Sequence, residues 1–371
     1  MTRRLLAVNA VLLLGTLLLA PRSSAEEAAR PLRIACNLPL SGDLATYGDA
    51  VREGVEFARE QMPSARDSLQ FDWQDNRGLP REAATILQRQ ISGAPDVYVS
   101  GVRPQTMAIW EQVGSLGLPH FVWIFDASIA SAAGNNFRTY VSFKQEPALV
   151  AAYAGTRHAE RVAVVYVRLP HTEQAYEGML VPQLKDIGVE RVLVEGYDLT
   201  KTDFRDVALK VKAFGPDLLF LSGFQANLTA LIPALAALKL IVPGNTITSY
   251  DMIDTLPLLP KQSVEGLRVT APSFMLDPEN RRYQAWRSAF IARHGKPPLY
   301  THAYAFDMAA ILADSARRLP RQWTREDVLQ ALRTADGEGV TGRLRFDTGG
   351  DMQAPVELGV IEEGRLVRAK Q

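Results

Sequence analysis

Short apolar runs alternate along the chain with longer segments in which apolar residues recur every three or four positions. The run Leu32–Leu38 predicts a β-strand. Residues 47–61 predict an α-helix, because Val51, Val55 and Ala58 fall on one helical face and charged side chains fall on another. A strand and a helix therefore follow each other directly at the start of the pattern.

The same alternation continues through the first part of the chain. This order of strand and helix is typical of a parallel sheet with helices on both faces. The further strands predicted here are 69–73, 97–100 and 120–125, and the further helices are 80–91 and 105–116.

A second alternating series follows, and its apolar runs are typical of strands covered on both faces. Its predicted strands are Arg161–Val167, 189–195, Leu218–Ser222, 246–250 and 267–271, and its predicted helices are 146–158, 175–188, 204–214 and 228–240. The last predicted elements are helices 280–294, 303–318 and 324–334 and strands 343–346 and 356–361. The pattern predicts an α/β protein that is long enough for two domains.

The first 25 residues have the three parts of a secretory signal peptide. Arg3 and Arg4 precede a 16-residue apolar run, and small residues end at Ala25. We expect cleavage after Ala25 and a periplasmic location. The alternative is a transmembrane anchor, but the run is short for a membrane span. No cysteine follows the run closely, so we expect no lipid anchor.

Composition and motifs exclude several classes of function. Losing the three arginines of the signal peptide would leave 38 basic residues against 41 acidic ones, and no basic run suggests nucleic-acid binding. The single cysteine, Cys36, lies in a predicted strand, so we expect a buried apolar role rather than a reactive thiol. The sequence contains no nucleophile elbow, paired-histidine metal motif, phosphate loop or dinucleotide fingerprint. We therefore expect no catalytic activity, no cofactor and no metal.

The segment 33–61 reads as strand, glycine turn and helix, and it resembles the opening of type I periplasmic binding proteins. More narrowly, it is similar to the Leu/Ile/Val receptors of ABC importers. Segments 161–178, 217–223 and 266–271 extend the resemblance over essentially the whole mature chain. The resemblance implies an α/β fold of two Rossmann-like lobes with parallel sheets and a three-segment hinge.

The resemblance also implies how the chain divides. The N-lobe would combine residues 31–143 with 273–345, and the C-lobe would combine 144–272 with 346–371. The hinge crossings would lie near 141–145, 271–274 and 345–347. A small-molecule ligand would bind between the lobes of a monomer, and ABC permease membrane subunits would then receive it.

On the N-lobe, the resemblance implies that the ring of Tyr47 lines the ligand cleft. The turn that binds a ligand carboxylate in this family is rich in serine and threonine, whereas here it contains Arg103, Gln105 and Thr106. Gln105 and Thr106 are candidate ligand contacts. Arg103 is either a cation for an acidic ligand or a solvated surface arginine.

The next turn, residues 125–128, resembles the family turn whose backbone N–H and hydroxyl group donate hydrogen bonds to the ligand. Ala127 and Ser128 fit those roles. Asp126 departs from the family, which usually has a small residue there. A carboxylate at this point would repel a ligand carboxylate. It would either bind an amine or hydroxyl of the ligand or cap the short helix expected at 127–133.

On the C-lobe, the resemblance implies contacts from Tyr176, Phe224 and Tyr250. It also implies a contact from Asp251, which lies near the place where the family has an acidic partner for a ligand ammonium. Tyr300 matches the last aromatic residue of the family's cleft. We interpret the neighbouring His302 as structural.

These features predict the substrate-binding component of an ABC importer, which captures a small polar solute such as an amino acid by hinge closure. One alternative is a periplasmic sensor for amides or amino acids, and another is a periplasmic hydrolase. The ligand class stays open among amino acids, aromatic acids, amides, short peptides and polyols.

Overall fold

Two β-sheets organise the computed structural model, which describes residues 30–42, 44–130, 134–142, 144–352 and 354–369. The first sheet is parallel throughout and has the order β2-β1-β3-β4-β5. Its strands are β1 (Leu32–Leu38), β2 (Leu69–Asp75), β3 (Val97–Gly101), β4 (His120–Trp123) and β5 (Asn136–Phe137). The predicted signal peptide, residues 1–25, lies outside the described residues.

The second sheet has the order β14-β13-β10-β9-β8-β6-β7, in which β13 and β14 are antiparallel additions to a parallel core. A separate hairpin pairs β11 with β12. The later strands are β6 (Arg161–Val167), β7 (Arg191–Tyr197), β8 (Leu218–Ser222), β9 (Thr246–Thr248), β10 (Arg268–Pro272), β11 (Asp336–Glu338), β12 (Arg343–Arg345), β13 (Val356–Glu362) and β14 (Arg365–Arg368). Parallel strands joined by helices confirm the predicted α/β class.

The helices connect the strands and pack against the sheets. In the first part of the chain they are α1 (Ala45–Gln61), α2 (Pro63–Ser68), α3 (Pro80–Ile91), α4 (Arg103–Met107) and α5 (Trp110–Ser115). Those that follow are α6 (Gln145–Thr156), α7 (Pro170–Ala175), α8 (Val181–Asp186), α9 (Arg205–Phe214) and α10 (Gln225–Ala237). The last are α11 (Met252–Thr255), α12 (Lys261–Val264), α13 (Ser273–Leu276), α14 (Arg281–His294), α15 (Tyr300–Arg318) and α16 (Arg325–Arg333).

Most predicted elements are present, and the differences have local causes. The predicted helix 105–116 is two helices, α4 and α5, and the break turns Ile109 into the core beside α3. The predicted helix 175–188 starts earlier, at Pro170, where proline suits the first helical turn, and a π-helical turn, Tyr176–Leu180, joins α7 to α8. The predicted strand 343–346 pairs in the small hairpin, whose other strand is fully exposed and charged and so carries no apolar signal.

Cys36 is fully buried in β1, as predicted. Burial raises the pKa of its thiol well above the usual value, which keeps it protonated. Its environment is therefore that of a small apolar core residue rather than of a reactive thiol.

A buried arginine links segments that are far apart in sequence. Arg138 is only 1% exposed, and its Nη1 donates hydrogen bonds to the carbonyl oxygens of Ile124 (3.1 Å) and Val141 (2.7 Å). Its Nη2 donates to Asp351 Oδ2 (3.1 Å), and its Nε lies 2.8 Å from Asp351 Oδ1. Burial raises the pKa of Asp351, but the guanidinium opposes this shift and favours the ionised carboxylate. The pair fixes the end of the first sheet against the segment that leads into β13.

None of the helices in the part of the chain that the structure describes combines the length and the apolar content needed to cross a membrane.

Helix α1 packs closely on helix α15, and glycine makes the approach possible. A Cβ atom added to Gly54 would lie 2.5 Å from the His302 carbonyl oxygen and 2.8 Å from the Ala305 Cβ. Real Cβ atoms do not approach backbone this closely, so one of the two helices would have to move. The apolar face predicted for α1, with Val51, Val55 and Ala58, is buried in the same interface layer.

We therefore expect Gly54→Ala to lower the free energy of unfolding by about 1–3 kcal/mol, because it overpacks this contact. Gly114→Ala is the matched control, since Gly114 also lies within a helix but has open space around its Cβ position. The control should be neutral or stabilising by up to about 1 kcal/mol. Urea denaturation measures both, and equal midpoints for the two variants would contradict the close approach.

Candidate functional site

A cavity of about 340 Å³ lies where the carboxyl ends of strands from both sheets face each other. This is the position at which open α/β sheets bind ligands. On the side of the first sheet it is lined by residues of α1, α4, α15 and the strand ends, including Leu38, Pro39, Tyr47, Val51, Met107, Trp123, Ile124, Phe125, Tyr140 and Thr301. On the side of the second sheet it is lined by Leu169, Pro170, His171, Leu199 and Phe224.

Aromatic rings bridge the cleft between the two sheets. Tyr47, on α1, meets Phe224 edge-on, with the ring centroids 5.8 Å apart. Phe125, which follows β4, stacks on both His171 and Tyr250 at 5.6 Å. A predominantly apolar, aromatic wall favours a ligand with an apolar body and few polar groups.

One ion pair supplies charge at the cavity wall. Arg103 Nη1 donates a hydrogen bond to Asp126 Oδ2 at 2.8 Å. The Asp126 side chain is 11% exposed, whereas that of Arg103 is 42% exposed. Asp126 is thus the enclosed anchor, and Arg103 is the more accessible partner.

The turn before Arg103 has an unusual backbone. Val102 adopts a φ of 64°, in the left-handed region, which is costly for a β-branched residue. Its N–H donates to the Trp123 carbonyl oxygen at 3.1 Å, which holds the turn on the end of β4. This strained turn begins α4 and places Arg103 at the cavity.

Several groups expected to bind the ligand have partners within the protein. The fully buried Thr106 hydroxyl contacts Ser100 Oγ at 3.0 Å, which in turn contacts His120 Nε2 at 2.7 Å. Asp126 Oδ1 accepts hydrogen bonds from both the backbone N–H (3.0 Å) and the hydroxyl (2.6 Å) of Ser128. Asp126 therefore caps the turn that follows it, as one of the two sequence interpretations proposed, but the turn is a three-residue 3₁₀ turn, Ala127–Ile129. Residues 131–133 of the helix expected at 127–133 lie outside the described residues.

Other predicted site residues divide between the cavity wall and its surroundings. Gln105 lines the cavity, and its amide donates to the Gly78 carbonyl oxygen. Ala127 lies in the 3₁₀ turn next to Asp126. Tyr300 is 1% exposed and lies behind the wall, where it accepts a hydrogen bond from the hydroxyl of Tyr140 at 3.3 Å.

A second, smaller space adjoins the main cavity and shares Phe125, His171 and Phe224 with it. It measures about 10 Å³ and also contacts Tyr176, Tyr250 and Asp251. The structure therefore brings these predicted C-lobe residues together but places them behind the shared rings.

Acidic side chains cluster beyond this smaller space. Glu146 is 1% exposed, and both Tyr176, at 2.6 Å, and Thr270 donate hydroxyl hydrogen bonds to it. Loss of hydration raises the pKa of Asp251 well above its usual value, and repulsion from Glu146 and Asp254 adds to the shift. Loss of hydration also raises the pKa of Asp254 to about 7.

His302 has a structural environment, as the sequence suggested. Its Nδ1 accepts a hydrogen bond from the Leu299 N–H at 2.8 Å, and its Nε2 lies 3.0 Å from Glu53. Both nitrogens are thus engaged at the base of α15. The hydrogen bond from His302 contributes most to lowering the pKa of Glu53 to about 2.

The sequence pattern did not mark several residues in and around the site, chiefly Tyr140, His171 and Glu146. His171 directly follows Pro170, which begins a helix just after β6, so its position after a strand was the available signal. Tyr140 follows a two-residue strand that gives no pattern. Glu146 lies on a mostly apolar helix, and only the fold brings Thr270 to it.

Comparisons with known proteins agree with this architecture. A sequence model of the family described as periplasmic binding protein matches residues 31–365, so this chain belongs to that family. The predicted resemblance to type I periplasmic binding proteins is confirmed. Family members of this kind bind solutes in the periplasm.

A leucine-, isoleucine-, valine-, threonine- and alanine-binding protein of Pseudomonas aeruginosa is 24% identical over 357 residues, which cover 92% of each chain. A leucine-binding protein from Thermotoga maritima has a TM-score of 0.76 at 19% identity, over 91% of this chain and 98% of that one. An ABC-transporter solute-binding protein from Rhodopseudomonas palustris, solved with 3,4-dihydroxybenzoic acid, has a TM-score of 0.80 at 15% identity, over 91% of this chain and 95% of that one. The two solved structures share the fold of this chain.

The acidic cluster generates a pH-dependent prediction. Between about pH 4 and pH 7 the folded protein holds a proton on Asp254 that the unfolded chain has released, so the free energy of unfolding falls as pH rises. Asp254→Asn removes this titration. We therefore expect its melting temperature, relative to wild type, to rise between about pH 5 and about pH 8.

Asp203→Asn is the control for this measurement. Hydrogen bonds from Arg205 hold the pKa of the exposed Asp203 at about 2, so it does not titrate between those pH values. This variant should stay parallel to wild type. If Asp254→Asn also stays parallel, then the Asp254 carboxyl has an ordinary pKa.

Proposed function

We propose that this protein is the substrate-binding component of an ABC importer, and that it captures one small organic solute between its two sheets. The cavity at the facing strand ends carries this proposal, because it is enclosed by both sheets and has a volume suited to a small ligand. The family membership and the ABC-transporter solute-binding protein that shares the fold support the same function.

The mechanism proposed is hinge closure around the solute. The N-lobe would comprise residues 31–143 and 273–345, and the C-lobe residues 144–272 and 346–371. Two observations support this division: β1 to β5 form one sheet and β6 to β10 belong to the other, while α15 packs on α1. The closed form would then present one surface, made by both lobes, to the permease.

The protein would work in the periplasm after removal of the signal peptide behind Ala25. The first test is a thermal-shift screen of residues 26–371 against amino acids, aromatic acids, amides, short peptides and polyols. A ligand that binds only the native state must raise the melting temperature. Trp123 lines the cavity, so its fluorescence should change with the same ligands. A screen in which neither signal responds would contradict solute binding.

Transport is tested separately from binding. Cells that lack this protein should lose high-affinity uptake of the radiolabelled solute found in the screen, and the protein with its signal peptide should restore it. Unchanged uptake would reject the importer role and favour the sensor alternative.

Tyr47→Ala tests the position of the cleft. Its ring lines the cavity and contacts Phe224, so its loss should weaken binding of the solute about tenfold or more, measured by calorimetry. Tyr47→Phe keeps the ring and should stay within about threefold of wild type. The melting temperatures without ligand report whether both variants fold. Unchanged affinity in Tyr47→Ala would place the ligand elsewhere.

A further inference from the structure

We propose that the cleft selects small carboxylic acids that have an apolar body and no ammonium group, and that Arg103 receives the carboxylate. This inference rests on the proposed function and names the class of solute that the same cavity binds. Among the ligand classes that the sequence leaves open, it selects apolar acids and excludes α-amino acids.

The hydroxyl groups expected to bind a carboxylate are engaged elsewhere. Thr106 is fully buried and bonded toward Ser100, away from solvent. The hydroxyl and backbone N–H of Ser128 both donate to Asp126. Pro104 has no N–H, which removes one amide from the start of α4. These groups are therefore not available as donors to an anionic ligand.

Arg103 supplies a donor for such a ligand. Among the described residues that line the cavity, it is the only arginine or lysine. His171 also lines the cavity, but loss of hydration lowers its pKa to about 4, with a further contribution from Arg103, so it is neutral near pH 7. The positive charge that faces the solute is thus that of Arg103.

The hydrogen-bonding capacity of the ion pair favours an acceptor. A guanidinium has five N–H donors, and Arg103 uses one nitrogen, Nη1, on Asp126. A carboxylate accepts about four hydrogen bonds, and Asp126 already receives one from Arg103 and two from Ser128. The pair therefore offers several unused donors but little accepting capacity. A carboxylate satisfies this arrangement, and an ammonium does not.

The other acidic groups are poorly placed for an α-ammonium. Asp251 contacts the separate space of about 10 Å³, behind Phe125, His171 and Phe224. That volume is close to the minimum for one water molecule. In an α-amino acid the ammonium is on the carbon next to the carboxylate, so both groups must lie at the same end of the cavity. With the carboxylate on Arg103, the ammonium would meet the nearly saturated Asp126 instead.

The rest of the cavity suits an apolar body. Tyr47, Val51, Trp123 and Phe224 line it with apolar and aromatic surface. Burying such surface favours binding, while an ammonium placed there would lose its hydration without a partner. Aromatic and branched aliphatic monocarboxylates meet both requirements.

Matched pairs of probes test the inference by calorimetry on residues 26–371, after unfolding, dialysis and refolding to remove any copurified solute. The pairs are 3-phenylpropionate with phenylalanine, 4-methylpentanoate with leucine, and benzoate with benzamide. We expect at least one acid to bind at least tenfold tighter than its partner that carries an ammonium, and benzamide to bind more weakly than benzoate. Each pair keeps the apolar body nearly constant and changes only the charged or polar groups.

Variants then locate the carboxylate. Arg103→Gln should weaken binding of the preferred acid at least tenfold, because a charge-assisted hydrogen bond is lost. Arg103→Lys keeps the charge but not the planar fork, so it should recover part of the affinity. Arg205→Gln is the matched control, since Arg205 is exposed, pairs with Asp203 and does not line the cavity. Urea midpoints establish that all three variants fold.

The outcomes separate this inference from the proposed function. If neither phenylalanine nor leucine binds at least tenfold more weakly than its matched acid, or if Arg103→Gln leaves the affinity of the acid unchanged, the inference is wrong while solute binding stands. If none of the six probes binds, the inference is also wrong. The proposed function then fails as well only if the broad solute screen gives no response.

Discussion

The buried ion pair of Arg138 and Asp351 is the constraint on which the cleft depends. Arg138 lies after the last strand of the first sheet, and Asp351 lies just before the chain enters β13 of the second. The same guanidinium holds the Ile124 carbonyl oxygen, two residues before Asp126. An arginine this deeply buried must be paired, since an unpartnered buried charge costs about 3–5 kcal/mol. The pair therefore fixes the segment that leads into β13 against the loop after β4, which contains Asp126.

From that loop, one set of contacts leads to the cavity wall. Asp126 is held by Ser128 and in turn holds Arg103, which the strained turn at Val102 brings to the cavity. The polar groups around Asp126 therefore already have hydrogen-bond partners within the protein. Local backbone strain at a cavity wall is typical of a functional site, where the surrounding structure stabilises it.

The strand and helix pattern could be predicted well from the sequence, because buried parallel strands and amphipathic helices each leave a regular apolar signal. The face of α1 with Val51, Val55 and Ala58 and the burial of Cys36 are examples. Short or charged elements could not be found in this way. Asn136–Phe137 is too short to show a period, and Asp336–Glu338 has no buried face.

The sequence by itself determined the α/β class, the family, and the turns after the strands that line the cavity. Only the tertiary structure decided which side chains in those turns already have hydrogen-bond partners within the protein. Thr106 and Ser128 carry hydroxyls suited to a carboxylate, yet one points into the core and the other bonds to Asp126. Tyr140 lines the cavity although no sequence pattern marks it, and only its position after a strand marks His171. The physical reason is that each polar group needs a hydrogen-bond partner when it is buried. Which group becomes that partner depends on which residues lie close in three dimensions, and the spacing of residues along the chain does not show this.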